Sequence, residues 1–132
     1  MRITLVAFEN IDAGDLVYVT DAAAGRCAKC VPNGTFEQST AVGMAQNAAA
    51  AGNVVTITTD GPSQPGIYST LVVGEDYYVG VDARLARYDE FKTAMQSGSY
   101  PQGFLVHCGI AATESQLALD LEQPFFVVTS AL

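Results

Sequence analysis

The sequence predicts an all-β fold, a small β-barrel or β-sandwich with one short helix near residues 84–97. Two patterns lead there. Val, Thr, Tyr and Ile gather in short runs, and Gly, Pro, Asn and Asp part those runs at intervals of strand length. Helical spacing occurs in one stretch, where Leu85, Tyr88, Phe91 and Met95 recur at steps of three and four with Arg84, Arg87, Asp89, Glu90, Lys92 and Gln96 between them. The 132 residues read as a single β-rich domain, residues 1–132, long enough to bury about two-thirds of the unfolded surface.

Ile3 to Phe8 reads as a first strand, because its apolar run is cut short by Glu9, Asn10 and Asp12. Ile11 to Asp15 is a turn, Leu16 to Thr20 a second strand, and Asp21 to Gly25 a second turn. Arg26 to Val31 returns as a strand whose alternation puts Cys27 and Lys29 on one face, Ala28 and Cys30 on the other. Pro32-Asn33-Gly34 is a loop, and Ala41 to Asn47 a strand. Ala48 to Ala51 favour a helix by propensity, but four residues are too few to nucleate one, so Ala48 to Gly52 is read as a tight connection. Val54 to Thr59 is the clearest strand, with its β-branched run Val-Val-Thr-Ile-Thr-Thr. A loop marked by Gly61, Pro62, Pro65 and Gly66 leads on to Leu71–Asp76 and Tyr77-Tyr78-Val79. The helix closes at Ser97-Gly98, and Phe104–Cys108, Leu117–Leu121 and Phe125–Val128 complete the strands. With so much strand, open edges must be closed on themselves or paired with a neighbour. The apolar termini, residues 1–8 and 125–132, are expected to pair with neighbouring subunits.

Charge narrows the partners. Fourteen acids against six bases give a net charge of −8, and no Lys or Arg follows Lys92. Nucleic acid and anionic membrane surfaces both require the opposite balance, so neither is an expected partner. No apolar segment reaches the roughly 18–20 residues needed to span a bilayer, and synthesis in the cytoplasm is expected. Only 15% of residues are charged, against about 25% in typical domains, so part of the apolar surface is expected to be covered by another subunit.

Candidate chemistry is sparse. Cys27-x-x-Cys30 lies in a strand-like run with no helix after it, so the N-terminal helix dipole that activates such pairs is missing. A zinc set of Cys27, Cys30, His107 and Cys108 can be written down, but zinc pairs favour tight turns, and adjacent residues of a strand point apart. Three cysteines fit no disulfide framework. His107, the lone histidine, has no nucleophile elbow to serve. The close carboxylates Glu75-Asp76, Asp89-Glu90 and Asp12 with Asp15 sit at turns or on the polar helix face, and none has calcium-loop spacing. No catalytic residue, metal site or cofactor is therefore expected. Tyr77-Tyr78 and Phe125-Phe126 are adjacent aromatic pairs, each expected to send one ring into the core and one outward. Tyr77, Tyr78, Phe125, Phe126 and Val127 are accordingly the candidate interface residues.

Three segments carry a resemblance. Ile11-Asp-Ala-Gly-Asp-Leu-Val-Tyr-Val19 resembles the opening hairpin of small virion proteins of tailed bacteriophages. Ala41 to Ile57 looks like their middle strand-turn-strand, and Leu71-Val-Val-Gly-Glu-Asp-Tyr-Tyr-Val79 is similar to a recurrent segment of the same group. That group includes capsid decoration (cement) proteins and β-rich tail modules. The resemblance covers residues 11 to 80 and implies a β-tulip-like barrel on the capsid surface of a virion. It also implies a homotrimer over junctions of the major capsid protein, stabilising the shell. It carries over no catalytic residue. A tail tip or fibre module, a receptor- or carbohydrate-binding domain using Tyr77, Tyr78 and Asp76, and a metal or redox enzyme using the cysteines and His107 are the alternatives.

Overall fold

The computed structural model describes all 132 residues. Five strands close into a barrel: β1 (Arg2–Ala7), β2 (Leu16–Asp21), β3 (Arg26–Lys29), β4 (Gly43–Ala45) and β5 (Val54–Thr58), in the order β1-β3-β2-β4-β5. All neighbours are antiparallel except β1 and β3, which meet in parallel at Val6 and Ala7. A second sheet has the order β6-β11-β10-β7-β8, from β6 (Gly61–Pro62), β7 (Asp76–Val79), β8 (Leu85–Ala86), β10 (His107–Ala111) and β11 (Leu117–Leu119). Strands β9 (Gln102–Leu105) and β12 (Phe125–Val128) form a separate two-stranded ribbon.

Two cores explain why the barrel strands are apolar on both faces. Inside the barrel lie Ala7, Ile11, Val17, Cys27, Ala45, Ala49, Val55 and Ile57. Most of these are small, as the lumen of a five-stranded barrel demands. Outside it, Leu16, Cys30 and Met44 meet Tyr77, Val79, Cys108, Leu117 and Leu119 of the second sheet. Adjacent residues of a strand point to opposite faces, so Leu16 joins the outer core and Val17 the inner one. Likewise Cys27 faces the lumen and Cys30 the outer core, as the alternation predicts.

One buried polar contact links the barrel to the second sheet. The Arg84 guanidinium donates to the Asp15 carboxylate at 3.2 Å and to the Ala13 carbonyl at 3.1 Å. It lies 5.0 Å over the Tyr68 ring. The Tyr68 hydroxyl donates to the Gly14 carbonyl at 2.8 Å and accepts the Leu85 amide at 3.1 Å. Burial raises the Asp15 carboxyl above its ordinary range, against the pull of the Asp12 amide and Arg84.

Several elements differ from the sequence reading. The helix α2 spans Tyr88–Ser97 and not 84–97, because Leu85 pairs with Val79 as a strand. Its N-terminus is set by the Glu90 side chain, which accepts the Arg87 backbone amide at 2.8 Å, and Phe91 and Met95 anchor its buried face. Ser99, with φ +56°, takes the left-handed position expected of Gly98. A one-turn helix α1 (Phe36–Ser39) follows the Pro32-Asn33-Gly34 loop, in a stretch to which the sequence pattern assigns no element. It is started by a capping box in which Thr35 Oγ1 accepts the Gln38 amide at 3.2 Å and Gln38 Oε1 accepts the Thr35 amide at 3.0 Å. Gly61–Pro62 forms an edge strand against β11, where proline's missing donor is tolerated.

The run Phe104–Cys108 is two strands with Val106 between them, because β9 and β10 belong to different sheets. At Gly109, φ is +148° and the ladder with β7 is irregular. A Cβ there would collide with the Ala118 carbonyl oxygen, so only glycine fits this bulge. Residues Arg2–Val6 pair with β5, and Phe125–Val128 pair with β9 of the same chain. Each keeps one open side at most.

Candidate interaction surface

The β9–β12 ribbon holds the largest exposed apolar side chains of the C-terminal third. Phe125 is 70% exposed, Phe126 51% and Val128 46%. Both phenylalanines therefore face outward, whereas alternation predicts one of them in the core. The ribbon is covered at β9, where Gly103 is buried against Met95 of α2 and Pro32, and its β12 side is left largely to solvent. Phe126 stacks edge-on against Phe104 at 5.7 Å, and Phe104 against Phe36 of α1 at 5.8 Å. This row of three rings crosses β12, β9 and α1, and such edge-to-face contacts fix the rings without covering them. Val127, between the two faces, is half-buried.

The tyrosine pair behaves as alternation predicts. Tyr77 is 4% exposed in the outer core, and its hydroxyl accepts the Val72 amide at 2.8 Å. It is therefore not an exposed anchor, which corrects its place among the interface candidates. Tyr78 points the other way and is half-buried, held edge-on by Tyr88 at 6.2 Å and by His107 at 5.3 Å. Burial, then Asp76 and Glu122, raise its hydroxyl above the usual range. Tyr78 lines two adjoining surface hollows.

Phe125 and Leu105 share a shallow depression of about 450 Å³ with Asp76, Tyr78, His107, Glu122 and Gln123. His107 Nε2–H donates to the Asp76 carboxylate at 2.8 Å, while Nδ1 lies 3.5 Å from Glu122 and makes no hydrogen bond. The Glu122 amide donates to the His107 carbonyl at 3.1 Å. Sequence reading missed this grouping, since β7, β10 and the segment before β12 bring its members from distant positions. The rim is acidic. Arg87 shares an adjoining hollow with Asp76 and Tyr78 and lies 3.5 Å from Glu90.

The three cysteines are buried and unpaired, and they do not converge with His107. His107 and Cys108 are neighbours on β10 and point to opposite faces, the thiol lying wholly inside the outer core. No three His, Cys, Asp or Glu side chains gather in metal-binding geometry. Burial pushes the Cys27 thiol up to about 11, and raises those of Cys30 and Cys108 well above the ordinary range. No helix is long and apolar enough to cross a membrane.

No protein-family model matches the sequence, and no curated protein matches it. Among solved structures, the chain is similar to the N base of the head fibre gp8.5 of bacteriophage phi29, with a TM-score of 0.51 at 12% identity over 94% of this chain and 95% of that one. At that identity the likeness is one of fold, and it runs through the barrel, the second sheet and the ribbon alike. The chain thus has a small all-β fold, built on a closed five-stranded barrel, that it shares with a phage head-fibre base.

Proposed function

We propose that this chain is a virion structural protein of a tailed bacteriophage, a capsid decoration protein that binds the outer shell and stabilises it. The observation that carries the reading is the near end-to-end fold likeness to a head-fibre base of phage phi29. Three chain segments point to the same group independently, and a row of exposed aromatic rings on β12 and α1 supplies apolar surface for a protein partner. The partner is the major capsid protein. The chain acts as a homotrimer, so that weak single contacts add through effective concentration. The proposal assigns it no reaction, cofactor or nucleic acid.

A specific observation favours a second reading. The solved neighbour is the base of a head fibre, so this barrel serves equally as the base of such a fibre. Immunoblots of purified particles separate the two: a decoration protein runs at 13.9 kDa, and a fibre base runs as part of a larger product. The reading as a whole is tested by mixing purified protein with shells from particles deleted for it. Co-sedimentation and a raised shell-disruption temperature are expected. Protein left in the supernatant at micromolar concentration rejects the proposal.

A further inference from the structure

The outer edge of β12 is an unguarded β-edge beside an acidic rim. In the β9–β12 register Phe125 faces Leu105, Phe126 faces Phe104, Val127 faces Gly103 and Val128 faces Gln102. The Phe104 amide donates away from β12, to the Pro32 carbonyl, and the Thr129 amide donates inward, to Pro101. Hydrogen-bonding direction alternates along a strand. Phe126 therefore turns its N–H and C=O groups outward and Val128 its N–H, while the Val128 carbonyl starts the 3-10 turn Thr129–Ala131.

Natural edges are protected by Lys, by internal proline, by bulges or by a covering loop. Residues 125–128 contain no charge and no proline, and their ladder is regular. Such an edge survives when something covers it. The surroundings say what. Asp76 and Glu122 line the depression that Phe125 enters, and no Lys or Arg follows Lys92. Each carboxylate is more than half exposed beyond its approach to His107. A second copy of this chain is a poor occupant, because it carries the same net charge of −8 and no Lys or Arg beyond Lys92 with which to meet the acidic rim.

We infer that the β12 edge receives an extended, cationic strand from a protein partner. Its main chain pairs with Phe126 and the Val128 amide, apolar side chains on one of its faces lie along the Phe126–Phe104–Phe36 row, and on its other face an apolar side chain meets Phe125 and a Lys or Arg reaches Asp76 and Glu122. In naming the chemistry of the shell contact this rests on the shell-binding proposal. The edge itself is tested apart from it.

The probe is a fluorescein-labelled peptide of alternating Val and Thr with Lys at both ends, against the same peptide with Glu at both ends. Val128→Pro removes one outward N–H and leaves every internal hydrogen bond in place, at a residue whose φ of −99° lies near the prolyl range. By polarisation, the Lys peptide is expected to bind the wild type in a salt-sensitive way, and the Glu peptide to bind at least about tenfold more weakly. Val128→Pro is expected to lose about tenfold or more, and the double variant Asp76→Asn, Glu122→Gln about three- to tenfold. In wild-type hydrogen exchange the amides of Phe126 and Val128 exchange freely alone and become protected with the Lys peptide, a readout that holds even if the proline variant misfolds. Equal binding of both peptides, no binding of the Lys peptide, undiminished binding by folded Val128→Pro, or unchanged exchange overturns the inference. Shell sedimentation keeps the two proposals distinguishable. Wild type and Val128→Pro binding shells equally removes the edge and leaves the shell role. Wild type failing on shells removes the shell role, and the peptide titration still decides the edge.

Discussion

Replacing Arg84 with alanine removes a side-chain polar contact between the barrel and the second sheet, which the outer core and the Leu16 N–H to Ala83 carbonyl bond still join. The guanidinium gives up hydrogen bonds to the Asp15 carboxylate at 3.2 Å and the Ala13 carbonyl at 3.1 Å, and its place over the Tyr68 ring. A hydrogen bond to a charged group contributes about 1.5–3 kcal/mol, and an exposed cation–π contact about 0.5–1 kcal/mol. Arg84 is 36% exposed, so solvent screens part of this, whereas Asp15 at 3% is left without its cation. The net cost at pH 7.5 is about 2–3 kcal/mol, below the roughly 3–5 kcal/mol of a fully buried broken pair. At this chain length that lowers Tm by roughly 6–15 °C.

Acid changes the cost in a defined direction. The folded Asp15 carboxyl already sits above 3.8, so the folded state holds the proton more tightly than the unfolded one, and Asp15 favours folding below 3.8 and loses that contribution as pH rises. Removing Arg84 takes away a charge that lowers this value and so widens the window upward. The Arg84→Ala penalty is therefore largest near neutral pH and shrinks as acidification toward pH 4 protonates a growing share of Asp15, which then needs no cation. Urea denaturation of both proteins at the two pH values measures it, with Asp15→Asn, Arg84→Ala closing a double-mutant cycle. A penalty below about 1 kcal/mol at pH 7.5, or one that grows on acidification, refutes the reasoning.

Other substitutions probe the packing. Phe91→Ala empties a fully buried site under α2 and is expected to cost about 3–5 kcal/mol by chemical denaturation. Gly109→Ala forces a Cβ against the Ala118 carbonyl at φ +148°, and is expected to cost about 3 kcal/mol or to prevent folding, read by circular dichroism and thermal melts. All three thiols are buried with raised pKa values, so Ellman's reagent at pH 8 is expected to react slowly with the native protein and fully in urea. One rapidly reacting thiol in the native protein contradicts their placement. Zinc measured on the purified protein is expected to be far below one equivalent, since Cys27 and Cys30 face different cores.

Strand content was legible where β-branched runs meet turn residues, as at Leu16–Asp21 and Val54–Thr58. The opposed faces of Cys27 and Cys30, and of Tyr77 and Tyr78, followed from strand alternation alone. Closure was not legible. The parallel meeting of β1 with β3 spans only Val6 and Ala7, too short to mark a pattern, and it is what makes the molecule a barrel and not a sandwich. Leu85 fits the helical period by spacing, yet its amide bonds to the Tyr68 hydroxyl and it pairs with Val79, contacts that no local window contains. The Thr35-x-x-Gln38 capping box was a readable signal for α1, passed over beside Pro32-Asn33-Gly34. The depression on His107 joins residues 76, 107 and 122 and exists only once β7 and β10 pair. The exposure of both Phe125 and Phe126 could not be read either, because alternation assumes that the strand itself lies over a core, and here the covering reaches Gly103 and Phe104 of β9 and not the phenylalanines of β12.

The shell-binding role is tested most directly by electron cryomicroscopy of the particles that carry this protein. Ordered density on the outer shell that accepts the five-stranded barrel, with the β9–β12 ribbon turned toward the capsid subunits, is the predicted result. Particles whose outer shell lacks such density, including particles that carry it only on the tail, contradict it.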